Sequence, residues 1–240
     1  MIRVWAAALV LAVTALLPAP AAAAGSAVIV MYHRFGEDKF PSTNIRLEQF
    51  EAHIEELRTG GFNVLPVPAI IDAIRKGEAL PDRAVGITID DGYLSIYTEA
   101  WPRLKRAGFP FTVFIATAPI DHRLSGFMSW DQIRELRDGG VTIGAHTATH
   151  NHMPEHDDAR NERELTVSNH RFEAELGKVP ALFAYPFGEG GTRVEKLVRA
   201  AGYRAAFGQQ SGAVHGSQDR FRLPRFALNE RFGETVNSGC

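Results

Sequence analysis

From Ala27 onward, short apolar runs alternate with amphipathic stretches, and this alternation limits the chain to a parallel sheet with helices packed outside it. The runs are Ala27 to His33, Asn63 to Val67, Ala84 to Asp90, Phe111 to Thr117, Val141 to His146, Leu182 to Phe187 and Ala205 to Gly208. A short continuous apolar run such as Ala27 to His33 marks a strand buried on both faces. Between the strands, Leu47, Phe50, Ile54 and Leu57 recur at helical spacing before the stop Gly60-Gly61. Pro68 to Lys76, Tyr93 to Ala107, Trp130 to Arg137, Ala159 to Leu176 and Val194 to Ala201 read as the remaining helices. The sheet so built is either closed as a barrel or open and doubly wound. No linker or charge block divides it, so one α/β domain is expected. After His215 the pattern weakens, and the last residues read as a loop or a ragged end.

Residues 1–24 stand outside this pattern. Arg3 precedes an apolar run from Val4 to Leu17 that only Thr14 interrupts, and Pro18, Pro20 and the small residues Ala21 to Ala24 follow. This is the pattern of a secretory signal peptide, too short and too soon broken to give a stable membrane span. The expectation is a signal peptide at 1–24, a single domain at 25–240, and export to the periplasm or the exterior. With 45% hydrophobic and 22% charged residues, the chain is not disordered. A net charge of -2 gives no electrostatic basis for binding nucleic acid. Cys240 is the one cysteine, which excludes an intrachain disulfide and a cysteine-built zinc site. Any metal has to be held by carboxylate and imidazole.

In a barrel of this class, chemistry sits at the C-terminal ends of the strands. Those ends carry Tyr32-His33, Asp90-Asp91-Gly92, His146 with His150 beyond it, and Pro186-Phe187-Gly188. Taken alone, Asp-Asp-Gly after a strand reads as a turn with a helix cap. His146 and His150, four residues apart, share a face and can grip a metal if the segment forms one helical turn; otherwise they belong to a solvated loop. Together the motifs offer a carboxylate and two imidazoles, a three-ligand set that leaves positions for water and substrate. The second aspartate then has a use as well, as a general base for a water activated at the metal.

The order Thr88-Ile89-Asp90-Asp91-Gly92, His146-Thr147-x-x-His150 and Pro186-Phe187-Gly188 resembles the polysaccharide deacetylases of the NodB-homology type, carbohydrate esterase family 4. The resemblance extends over roughly residues 27 to 230. It implies a distorted (β/α)7 barrel and metal-dependent removal of acetyl groups from N-acetylated sugars in a glycan. It implies Asp90 as catalytic base, Asp91, His146 and His150 as ligands of one divalent metal, and the Phe187 amide as a partner of the oxyanion. Zinc is the default metal, with cobalt, nickel and iron accepted by the same ligands. The expected substrate is an N-acetylglucosamine polymer, and the chain is expected to act as a monomer.

Two departures matter. Phe183-Ala184-Tyr185-Pro186 puts Ala184 where the family commonly has an arginine, so that position cannot hold the base by an ion pair. This variant, with Tyr32-His33, resembles the branch that deacetylates exported poly-β-1,6-N-acetylglucosamine. The family's late Leu-x-His has only Ala213-Val214-His215 near it, so His215 and His33 are rival candidates for the general acid. Trp130, Phe127 and Tyr185 either line a sugar groove or pack the core. His152 and His156 follow the metal motif as solvated extras, and His53, His122 and His170 read as surface residues. A small-amide hydrolase and a non-catalytic glycan-binding module are the alternative readings.

Overall fold

A computed structural model describes residues 25–231; the expected signal segment and Cys240 lie outside them. In chain order the elements are β1 (Ser26–Tyr32), β2 (Arg34–Phe35), β3 (Asn44–Ile45), α1 (Leu47–Thr59), β4 (Asn63–Val64), α2 (Val67–Lys76) and β5 (Ala84–Ile89). There follow α3 (Trp101–Ala107), β6 (Thr112–Ile115), α4 (Thr117–Asp121), α5 (Trp130–Asp138), β7 (Thr142–Ala145) and α6 (Asp158–Leu176). The chain then forms β8 (Leu182–Ala184), α7 (Thr192–Ala200), β9 (Ala205–Phe207), β10 (Val214–His215) and β11 (Phe226–Ala227).

The sheet runs β10-β1-β5-β6-β7-β8-β9, with β4 beside β5 and β11 beside β1. Every pair in it is parallel except β10, which runs against β1. All seven expected strands are present, though several are shorter than their apolar runs. The tail beyond His215 is not ragged. Leu223 bridges to Phe207 of β9, and Phe226 and Ala227 pair with Val30 and Met31 of β1. Residues 223–227 therefore join the two edges of the curled sheet and close it as a distorted barrel. A two-residue strand and a single bridge are too short to leave a period in the sequence, which is why the expectation missed them.

Side chains split by the period of two that a pleated strand imposes. Phe114, Leu182, Ala184, Ala205 and Phe207 point into the barrel, where Val67, Ile70 and Ile71 of α2 join them. Val113, Ile115, Phe183 and Ala206 point outward against Phe50 and Ile54 of α1, Leu104 of α3, Ile133 of α5, Phe172 of α6 and Val198 of α7. The expected helix from Tyr93 is a different case. Tyr93 and Leu94 bond back to the loop at 126–127, and a wide π turn at Ile96–Ala100 precedes α3. Pro102 explains the widening: it has no N–H, so the bond to Thr98 is unavailable, and Trp101 N–H reaches Ile96 O instead.

The barrel interior leaves no space at Gly144. A β-carbon there would fall inside the van der Waals radius of the Phe114 ring, which is fully buried. Gly144→Ala is expected to lower stability by about 1–3 kcal/mol. Chemical denaturation of the variant measures this, and adding Phe114→Leu should return part of the loss.

Candidate active site

Four parallel strands deliver polar residues to one rim. Asp90 follows β5 and ties itself to β1 through its N–H on Tyr32 O, 2.9 Å. Asp91 (φ 77°) and Gly92 (φ 89°) are both left-handed, so the chain turns at once and sends adjacent carboxylates different ways. His146 follows β7. The segment to His150 is not the helical turn considered above: Thr147 (φ 63°) and His150 (φ 57°) are left-handed, and His150 N–H donates to Thr147 Oγ1 at 3.0 Å. Glu164 of α6 holds this loop, accepting from the N–H groups of Ala148 and Thr149 at 3.1 and 2.8 Å. The loop brings the two imidazoles to a centroid separation of 4.8 Å by a route that spacing does not reveal.

Asp91, His146 and His150 offer ligand atoms that all lie within 4.8 Å of one another. His146 Nδ1 lies 2.7 Å from Ala184 O, and because a carbonyl only accepts, Nδ1 carries the proton. Nε2 is then the lone-pair nitrogen, and it faces Asp91 Oδ1 at 3.3 Å; His150 Nε2 faces the same oxygen at 3.2 Å. Neither His146 Nε2 nor Asp91 Oδ1, both buried, has a hydrogen-bond partner. Facing lone pairs in a dry site call for a cation between them. The residues present thus fit a divalent metal. Without a cation the imidazoles would have to carry the protons themselves, and in that state they hold the Asp91 carboxyl well below its ordinary value against the push of burial. Tyr93 stands beside it with its hydroxyl in reach of Asp91 and Arg34, its ring 3.4 Å from the Arg34 guanidinium and 4.9 Å from the Phe127 ring centroid.

The cation missing from position 184 comes from elsewhere. Arg225, in the closing segment and fully buried, donates from both terminal nitrogens to the two Asp90 oxygens at 2.7 Å each. Its Nε donates to Gly208 O at 2.9 Å, and one terminal nitrogen reaches Thr88 Oγ1 at 3.2 Å. Burial pushes the Asp90 carboxyl up, but the Arg225 charge and hydrogen bonds outweigh it and hold the carboxyl below its ordinary value. Sequence reasoning missed Arg225. The usable signal was a lone arginine between Pro224 and Phe226 in an otherwise apolar stretch, together with a buried carboxylate that lacked a partner.

His33, at the end of β1, is half-buried and close enough to feel Asp91, Asp90, Arg225 and His146. Burial lowers its pKa, against the pull of the two carboxylates. His215 does not reach this rim. It pairs with Ser26 at the opposite end of β1 and meets Ser217 Oγ at 2.9 Å. Its likeness to Leu-x-His is therefore one of spelling. Phe187 is exposed at the rim, left-handed (φ 58°, ψ 9°), in a conformation that costs a non-glycine residue about 1–3 kcal/mol. Tyr185 is no substrate contact: it is buried, and its hydroxyl donates to Phe221 O at 2.9 Å. Trp130 donates to Asp121 Oδ1 at 2.8 Å and meets Phe172 edge-on. With Phe127 it lines a cleft of about 840 Å³ that contains none of the three clustered ligands. His152 bonds Glu189 Oε2 at 2.8 Å and lies outside the ligand cluster. His53 is not the surface residue expected; it is half-buried and meets the buried Tyr32 hydroxyl at 3.0 Å.

Comparison with known proteins agrees with this geometry. The polysaccharide deacetylase family profile matches residues 77–206, more than half of the chain and a span that includes Asp90, Asp91, His146, His150 and Phe187. YxkH of Bacillus subtilis, named as a polysaccharide deacetylase, is 25% identical over 84% of this chain and 71% of its own length. The poly-beta-1,6-N-acetyl-D-glucosamine N-deacetylase of Staphylococcus epidermidis is 25% identical over 84% of this chain and 73% of its own. The Escherichia coli enzyme of that name is 28% identical, and the match spans only 32% of its length. Among solved structures, IcaB from Ammonifex degensii superposes with a TM-score of 0.75 at 25% identity, covering 85% of this chain and 92% of that one. The Streptococcus pyogenes deacetylase PplD reaches a TM-score of 0.79 at 18% identity, covering 85% and 93%, a likeness of fold alone. The chain belongs to the polysaccharide deacetylase family.

Proposed function

We propose that this protein hydrolyses N-acetyl groups from N-acetylglucosamine units of an exported or cell-envelope polysaccharide, with poly-β-1,6-N-acetylglucosamine as the substrate class. The observation that carries the reading is a guanidinium-held Asp90 beside the Asp91–His146–His150 cluster, in which Asp91 Oδ1 and His146 Nε2 lack hydrogen-bond partners. The polymer assignment draws on the names of the relatives, which match this chain over its central fold. A signal peptide at residues 1–24 would place the enzyme in the periplasm or outside the cell. Among the described residues no helix is long and apolar enough to cross a membrane.

Asp91, His146 and His150 would hold the divalent ion, which when bound supplies Lewis-acid activation of water and of the acetamide carbonyl. Zinc suits a carboxylate–imidazole set, as do cobalt, nickel and iron. Ala184 O holds His146 in the tautomer that presents Nε2 to the ion. Asp90 takes the proton of the attacking water. Arg225 keeps it ionised for that task and fixes its plane, and each oxygen retains a lone pair beyond its bond to the guanidinium. The Phe187 N–H, at the left-handed turn, donates to the carbonyl oxygen as negative charge builds there. His33, the histidine at the end of β1, gives a proton to the departing amine. The non-catalytic reading rests on the missing arginine and the unassigned acid, and Arg225 answers the first of these.

Acetate release from β-1,6-linked N-acetylglucosamine oligomers tests the reading. Release is expected from the metal-loaded protein and lost on chelation. Asp90→Asn and His33→Gln should each lower kcat by about 10²–10⁴-fold. Equal release with chelator and with Asp90→Asn would refute the mechanism.

Arg225→Met leaves a buried carboxylate without its partner and should cost about 3–5 kcal/mol of stability. The pair depresses the folded-state pKa of Asp90, so its contribution is complete above the ordinary carboxylate range. It is lost as pH falls through the depressed folded value. The stability gap between wild type and Arg225→Met should therefore be widest near neutral pH and narrow in acid, as denaturant midpoints across pH will show.

A further inference from the structure

Phe187 raises a question that its assigned role does not answer: what keeps an exposed, left-handed phenylalanine in place? The three backbone bonds of its turn are donated by Gly188, Glu189 and Gly190, none by Phe187 itself. Its ring meets two imidazoles. His150 approaches edge-on at 4.5 Å, while His152 lies parallel to it, 3.7 Å between centroids and 4° between planes. The His152 ring is also tied to the chain of the turn, its Nδ1 lying 2.8 Å from Glu189 Oε2. Glu189 is two residues beyond Phe187, and His152 is two residues beyond His150. The result is a closed loop of contacts, from the metal-cluster segment through a ring stack to the turn, and back through a hydrogen bond.

We propose that His152 and Glu189 are positioning residues for the Phe187 amide, a brace that locks the turn in its left-handed form and fixes its distance from the metal-binding segment. The proposal rests on the reading of the Phe187 N–H as oxyanion donor, but the brace itself is a statement about backbone geometry. Both members are half-exposed at the rim, with side chains 42% accessible, so removing either leaves the core intact. Stacking needs a flat ring at 152, not an imidazole. The bond to Glu189 orients that ring and contributes less than its presence.

Three measurements on His152→Ala, His152→Phe and Glu189→Ala decide the matter: kcat and KM for acetate release from N-acetylglucosamine oligomers, Co²⁺ affinity by titration, and the amide resonance of selectively ¹⁵N-labelled Phe187. His152→Ala is expected to lower kcat by about 10- to 100-fold, the scale of a misplaced catalytic donor, with KM within about twofold and Co²⁺ affinity unchanged. The Phe187 resonance should shift or broaden in that variant, whereas His152→Phe restores both kcat and the resonance. Glu189→Ala should fall between the two. A rise in KM at constant kcat would overturn the proposal in favour of a sugar-stacking platform, and a loss of Co²⁺ affinity would overturn it in favour of a ligand-supporting role. An unmoved Phe187 resonance in His152→Ala would also overturn it. A moved resonance in a protein that releases no acetate even as wild type would uphold the brace and refute the deacetylase reading instead.

Discussion

The buried ion pair between Asp90 and Arg225 is the constraint around which this barrel is arranged. Both side chains are fully buried, and both guanidinium ends are committed to the carboxylate. Such a pair adds little net stability, since desolvation of two charges consumes most of their attraction. Its value lies in what it specifies. Arg225 sits in the segment that runs from the Leu223 bridge on β9 to the Phe226 pairing on β1, so the closure of the barrel and the charge of Asp90 are tied through one contact. A closing segment that slipped by one residue would turn Arg225 away from Asp90 and leave each charge alone in an apolar interior.

Strain is concentrated on the same rim. Among the described residues six non-glycine positions have positive φ, and four of them are Asp91, Thr147, His150 and Phe187. Each conformation is held by something specific: Gly92 continues the turn at Asp91, Glu164 pins the loop at 148–149, and His152 stacks on Phe187. Unfavourable backbone geometry survives where the surroundings over-determine it, and here it brings ligand atoms of Asp91, His146 and His150 within 4.8 Å of one another.

The parts of this arrangement that depend on local pattern were legible in the sequence. The strands and most helices announced themselves through apolar runs and glycine stops, and the three clustered side chains were named from order and spacing. The route to the cluster was not legible, because His146 and His150 meet through left-handed loop residues and not through a helical turn. The pairing of Arg225 with Asp90 was hidden for another reason. The partners lie 135 residues apart in the chain, and the strand beside Arg225 has two residues, so neither local spacing nor periodicity could join them. His215 shows the converse error. It resembled a motif in letters, but antiparallel pairing with Ser26 sends it to the far end of β1. Tyr185 and Trp130 were ambiguous as aromatic residues always are, and only their hydrogen bonds place one in the core and the other on a cleft wall.

Ala184 is better understood as part of this substitution than as a loss. It points into the barrel among Phe114, Phe207 and Leu182, with no accessible surface. The Arg225 guanidinium occupies that same space, 5.4 Å from the Phe114 ring and 5.9 Å from the Phe207 ring. Two long cations cannot share an apolar interior of this size, so an arginine supplied by the closing segment requires a small residue on β8. The small residue then offers only its backbone, and the Ala184 carbonyl is what fixes the His146 tautomer. Asp90 is thus held from the closing segment and His146 from β8.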